Sequence, residues 1–152
     1  MAHRIALLQM TSGLDPEVNA AAMVAAAGAA GMGGASILFT PEMSGLVDRD
    51  RRRAGPHVVA EGQNPVLGAM RDAAARAGVW VAIGSLAVAR EDGRWANRSL
   101  VIDAAGEIVA RYDKIHMFDV DQATGESWRE SNAYAPGDQL VTVETPAGRL
   151  GL

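Results

Sequence analysis

The stretch up to Gly84 alternates short apolar runs with capped helical segments, and this alternation constrains the fold more than any other feature. Ile5-Ala6-Leu7-Leu8 suits a buried strand and gives way to polar Gln9 to Gly13. Asp15-Pro16-Glu17 then combines a capping carboxylate, a proline at the first helical position and an acid facing the positive end of the helix dipole. The spacing predicts a helix to about Ala30, stopped by Gly31-Met32-Gly33-Gly34. Because that helix is so rich in alanine, its packing face must be shallow and close to its neighbour. Ser36 to Phe39 reads as the second strand. Asn64-Pro65 repeats the cap-plus-proline signal and opens a helix with Val66, Leu67, Met70, Ala73, Ala74 and Ala77 on one face and Gly78 as its stop. Val79 to Gly84 is the third strand, so the order implies an α/β sheet with crossover connections.

After Gly84 the rhythm changes. Leu86 to Arg90, Arg98 to Asp103 and Glu107 to Tyr112 are short strand-like runs joined by Glu91-Asp92-Gly93 and Ala104-Ala105-Gly106, turn chemistry suited to antiparallel hairpins. The sheet is therefore expected to be mixed. Asp119 to Pro136 is polar and irregular, and its Trp128 and Tyr134 point to an ordered, functional loop. Leu140 to Glu144 and Arg149 to Leu152, around Pro146-Ala147-Gly148, read as a final hairpin whose second strand the chain's end interrupts. One domain over residues 1–152 is expected, incomplete at its C-terminal end.

Composition narrows the chemistry. A chain of 152 residues with 49% apolar content is long enough to bury a core, about 70% of its unfolded surface. A net charge of −4 supplies no field for polyanions, so nucleic acid is not expected as a partner. The one basic run, Arg49 with Arg51 to Arg53, is diluted by Asp48 and Asp50 and reads as a solvated face instead of a phosphate site. Met1 to Met10 lacks the pattern of a signal peptide, and no apolar run reaches membrane-spanning length. A soluble cytoplasmic protein is the default reading. With no cysteine, disulfides, thiolate metal sites and a cysteine nucleophile within these residues are excluded.

Several motifs dissolve on inspection. Asp119, Asp121 and Glu130 occupy the first, third and twelfth positions of a calcium loop, but Ala123 and Thr124 stand where a ligand and a glycine are required. His3, His57 and His116 are too dispersed for zinc, and His116 reads as a structural histidine alternating with Lys114 on one strand face. Asn97-Arg98-Ser99 matches a glycosylation sequon, yet a turn or strand-edge asparagine is the simpler reading. Ser44, Ser127 and Ser131 lack a His and Asp arrangement that would make a nucleophile. What remains is Tyr112 to Asp119, where Lys114 stands among large apolar groups and needs an anion, together with Glu42 just past a strand end and Glu130 in the long loop. Singly, each also fits an ordinary surface or turn residue.

Taken in order, Ile5 to Gln9, Phe39-Thr40-Pro41-Glu42, Asn97 to Asp103 with Gly106, Tyr112 to Asp119, Arg129-Glu130-Ser131 and Pro136-Gly137 resemble the amino-terminal part of the nitrilase superfamily, the carbon-nitrogen hydrolases. The Lys114 to Asp119 run with Glu130-Ser131 is most similar to the Nit branch of omega-amidase-like and deaminated-glutathione-amidase-like enzymes. The resemblance implies a four-layer α-β-β-α sandwich with mixed sheets, assembled as a homodimer or larger homo-oligomer. It also implies hydrolysis of a small carboxylate-bearing amide through a cysteine thioester, with no metal or organic cofactor. By position, Glu42 would be the general base, Lys114 the donor to the oxyanion, and Glu130 the second carboxylate that positions the lysine and the substrate. The nucleophilic cysteine would follow Leu152, so the chain by itself is expected to be inactive. The rival expectation is a non-catalytic module of the same fold that serves in binding or oligomerisation.

Overall fold

The computed structural model describes residues 3–152; the first two residues of the expected 1–152 domain lie outside the described residues. Strands β1 (Ile5–Leu7), β2 (Ile37–Phe39), β3 (Trp80–Ala89), β4 (Trp95–Ile102) and β5 (Ile108–Asp113) form one sheet in that spatial order. β1, β2 and β3 pair in parallel, whereas β3, β4 and β5 pair antiparallel. The sheet is thus mixed, as the change of rhythm after Gly84 predicts.

Helices α1 (Pro16–Met32) and α3 (Pro65–Ala77) are the two crossovers, while α2 (Arg51–Ala54) is a single turn. Their starts follow from the caps: Asp15 Oδ1 accepts from the backbone N–H groups of Glu17 and Val18, and Asn64 Oδ1 accepts from Leu67. Gly78 ends α3 at φ 62°, a left-handed conformation that glycine adopts without a Cβ penalty. The stop of α1 lies later than expected. Gly31 is helical, and a Cβ on it would come 2.7 Å from the Ala77 carbonyl oxygen. That glycine permits close approach to α3, and Gly33 caps the helix instead.

The two helices lie on one sheet face. Met23, Ala27, Leu67, Met70 and Ala74 pack with Leu38, Val81, Ile83, Leu86, Val88, Leu100 and Ile102 in the main core. The other face carries Ile37, Ala82, Val101 and Ala110. There a hairpin of β8 (Thr142–Thr145) and β9 (Gly148–Gly151) places Val143 and Leu150 against the sheet. The α/β class with a mixed sheet is therefore present, as a helix layer, a sheet and the hairpin that lies on the sheet's second face.

Two further expectations change. Val79 to Gly84 and Leu86 to Arg90 belong to one long strand, β3, whose pairing with β4 shifts between Ile83 and Leu86. One extra residue there is a β-bulge, which the glycine and serine at Gly84-Ser85 accommodate. The stretch from Asp119 to Pro136 is not wholly irregular: β6 (Asp119–Asp121) and β7 (Ser127–Arg129) form a hairpin, followed by a 3₁₀ turn at Glu130–Asn132. Asp121 closes that hairpin on Arg129 at 2.6 Å, and Asp119 accepts from the Ser131 hydroxyl at 2.6 Å. No helix among the described residues is long and apolar enough to cross a membrane.

Candidate active site

Glu42 sits on a turn that the bulge holds in place. Thr40 N–H donates to the Ala82 carbonyl, Met43 N–H to Ser85 Oγ at 2.8 Å, and Ser44 N–H to the Ser85 carbonyl. A Cβ on Gly84 would come 2.4 Å from the Thr40 carbonyl oxygen and the Pro41 carbonyl carbon, so only glycine lets the turn lie this close. Asn19 of α1 secures the far end by donating to the Gly45 carbonyl at 3.0 Å. Held from both sides, Met43 adopts φ 54°, a left-handed conformation that costs about 1–3 kcal/mol in a non-glycine residue. The strain adjoins Glu42.

Lys114 follows β5 directly. β5 runs parallel to β2, so Lys114 and Glu42 emerge at the same end of the sheet. The Lys114 backbone is pinned twice: its N–H donates to the Asn97 carbonyl at 2.9 Å, and its carbonyl accepts from Gly137 N–H at 3.0 Å. Strand structure ends at Asp113, so Lys114 and His116 do not alternate on a strand face, and His116 is exposed. The chain turns away after Asp113 to reach the β6–β7 hairpin, which returns Glu130 to the lysine.

The three residues meet. Lys114 Nζ lies 3.0 Å from Glu42 Oε1 and 3.1 Å from Glu130 Oε2. Asn97 joins them from β4, donating through Nδ2 to Glu42 Oε1 at 2.8 Å and to Glu130 Oε1 at 3.1 Å. Far from marking a turn or a strand edge, Asn97 is 3% exposed on an interior strand. Its Oδ1 is buried without a hydrogen-bond partner among the described residues, an arrangement that costs roughly 1–3 kcal/mol. Asparagine is uncommon in strands, and its presence within the Trp95–Ile102 strand was the signal available in the sequence.

The two carboxylates differ in freedom. Glu130 has a side chain 9% exposed. Both of its oxygens are engaged, Oε1 by Asn97 and Oε2 by Lys114 and the Phe118 N–H at 2.7 Å. Glu42 has a side chain 59% exposed, and among the described residues Oε1 takes both of its hydrogen bonds while Oε2 takes none. Burial pushes the Glu42 carboxyl upward, but hydrogen bonds from Lys114 and Asn97, with the lysine charge, hold it below the usual glutamate range. Burial pulls the Lys114 ammonium down, and Glu42 and Glu130 more than reverse this. The site therefore holds an ammonium between two carboxylates. It can take a proton at the free carboxylate oxygen and stabilise negative charge at the lysine.

These groups line a cleft of about 810 Å³. Tyr134 stands in its wall, edge-on to Trp95 at 5.6 Å, and its phenol is pushed up to about 12 by burial and then by the charges of Glu130 and Glu42. Asp48 and Arg49, at the start of the arginine run, form part of the rim. Arg53 pairs with Asp48 at 2.8 Å, Arg51 lies over the Trp95 ring at 5.1 Å, and Arg49 lies over Trp128 at 5.8 Å. All four arginines are exposed, as a solvated face predicts, and of them Arg49 lines the cleft.

The carbon-nitrogen hydrolase family model matches residues 4–152. Deaminated glutathione amidase from Yersinia enterocolitica is 36% identical over 151 residues, covering 97% of this chain and 52% of its own length. The Bos taurus protein of that name is 29% identical over 157 residues, covering 97% of this chain and 46% of its own. The chain thus spans about half the length of these curated relatives. Among solved structures, the C. elegans NitFhit protein superimposes with a TM-score of 0.86 at 27% identity, over 100% of this chain and 38% of its own. An amidase from Nesterenkonia sp. AN1, solved in complex with butyramide, gives 0.81 at 26% identity over 98% of this chain and 54% of its own.

Proposed function

Because the chain belongs to the carbon-nitrogen hydrolase family, we propose that the whole protein hydrolyses the carbon-nitrogen bond of a small carboxylate-bearing amide through a cysteine thioester. The observation that carries this reading is Lys114 Nζ held between Glu42 Oε1 at 3.0 Å and Glu130 Oε2 at 3.1 Å, in a cleft. The resemblance to deaminated glutathione amidase supports the substrate class. The 152 residues contain no cysteine, so in this reading the thiol comes from chain that follows Leu152.

Glu42 removes the thiol proton through Oε2, its unengaged oxygen. The thiolate attacks the amide carbon, and the carbonyl oxygen gains the negative charge of a tetrahedral intermediate. Lys114 donates to that oxygen, an interaction that strengthens as charge develops and so lowers the barrier instead of merely tightening binding. Collapse breaks the carbon-nitrogen bond, the proton on Glu42 passes to nitrogen, and ammonia leaves. Water then attacks the thioester with Glu42 again as base, releasing the carboxylate product and restoring the thiol. Glu130, with both oxygens committed, keeps the lysine in place and takes no proton.

The test is ammonia release by the whole protein from amides with and without a second carboxylate, combined with mass spectrometry of the trapped acyl-enzyme. Turnover with an acyl adduct on a cysteine is expected. Absence of turnover on every amide, in a folded protein, would sink the reading.

A further inference from the structure

Asn97 is at the centre of the site but has no part in the proton and charge movements described above. We propose that Asn97 is a positioning residue whose NH₂ group ties Glu42 Oε1 to Glu130 Oε1 and so fixes the two carboxylates on either side of Lys114. The kinetic part of this inference rests on the amide-hydrolase reading; the geometric part does not.

Two carboxylates bridged by one ammonium repel each other, and something must set their separation. A neutral group with two N–H bonds on one nitrogen can hold both without adding charge, whereas an arginine or lysine there would compete with Lys114 for its anions. Asn97 Nδ2 meets Glu42 at 2.8 Å and Glu130 at 3.1 Å. The two carboxylate acceptors make the orientation unambiguous, because turning the amide over would aim Oδ1 at both of them. Asn97 also accepts the Lys114 backbone N–H at 2.9 Å, so one residue of an interior strand sets all three charged groups. By occupying Glu42 Oε1 beside the lysine, it leaves Oε2 as the oxygen free to take a proton. The titratable groups facing Glu42 are Lys114 after β5, Glu130 after β7 and Tyr134 beyond the 3₁₀ turn.

The test compares Asn97→Ala and Asn97→Asp with the unchanged whole protein. Asp keeps the shape but cannot donate when ionised, and it carries the comparison if the alanine variant does not fold. Loss of about 10²-fold in kcat is expected, with KM altered by less than about threefold because substrate contacts remain. In ¹³C-glutamate NMR titrations, the Glu42 carboxyl is expected to move to higher pH in both variants. Wild-type kcat in a folded variant, or an unmoved Glu42 titration, would overturn the inference. If the whole protein hydrolyses no amide, the hydrolase reading fails and the Glu42 titration alone decides the role of Asn97.

Discussion

Lys114 is tethered on one side to a glutamate with no spare oxygen and on the other to a glutamate with one to spare, and this inequality gives the site its direction. Replacing Lys114 by Ala in the whole protein is expected to lower kcat by about 10²–10³-fold, the loss typical of one oxyanion donor, while the circular dichroism spectrum stays that of a folded protein. A variant with near-normal rate would remove the lysine from the mechanism. The pH dependence has a definite sign. In the proposed mechanism Glu42 must be ionised to act, and its carboxyl is held below the usual glutamate range, so the acid limb of kcat/KM is expected below that range. The same mechanism needs Lys114 charged, and its ammonium is held above the ordinary lysine range, so its loss of charge falls beyond that range on the alkaline side. An acid limb displaced upward, measured on the whole protein, would show that Glu42 is not the titrating base. At this scale the sequence exposed the lysine's need for an anion, because an ammonium in apolar company is costly. It did not expose Asn97, whose importance depends on two glutamates from distant parts of the chain reaching one amide.

Elements marked by local chemistry were legible and those marked by tertiary contact were not. Both long helices begin at their cap residues, since the Asp15 and Asn64 side chains satisfy N–H groups that any helix start leaves free. Asn64→Ala should cost about 1 kcal/mol in urea unfolding; an unchanged midpoint would mean that the cap is dispensable. The Gly31 to Gly34 run does end α1, at Gly33, but Gly31 itself stays helical because its reason is the Ala77 carbonyl of another helix, which no local pattern shows. The continuity of β3 through Gly84-Ser85 was hidden for a related reason: a glycine beside a serine looks like a turn when the neighbouring strand is unseen. Gly84→Ala offers the sharper test. Its Cβ would meet the Thr40 carbonyl at 2.4 Å, so a destabilisation of about 1–3 kcal/mol is expected, together with loss of activity in the whole protein as the Glu42 turn is pushed off the strand. An alanine variant of unchanged stability would contradict the packing described.

At the scale of the molecule, the described fold leaves apolar surface open. Ile5 and Leu7 of β1, a strand at the edge of the sheet, are 51% and 75% exposed, and Leu140 is 86% exposed near the β8–β9 hairpin. An edge strand with apolar side chains is a template for pairing, so the 152-residue chain alone is expected to associate at micromolar concentration. Sedimentation velocity showing a single monomer boundary would contradict this. The bulge at Gly84-Ser85 bears on how such a molecule can change. Strand side chains alternate with a period of two, so one inserted or deleted residue reverses which face every later side chain meets. Here the bulge absorbs the extra residue, so Leu86 and Val88 stay on the same face as Val81 and Ile83, towards the helices. Excising Ser85 would yield a straighter, regularly paired strand with Leu86 and Val88 still facing the helices, but it would remove the hydroxyl that anchors Met43. The irregularity thus serves the site and not the core: the helices would pack on a strand without it, while the turn that carries Glu42 would lose its anchor.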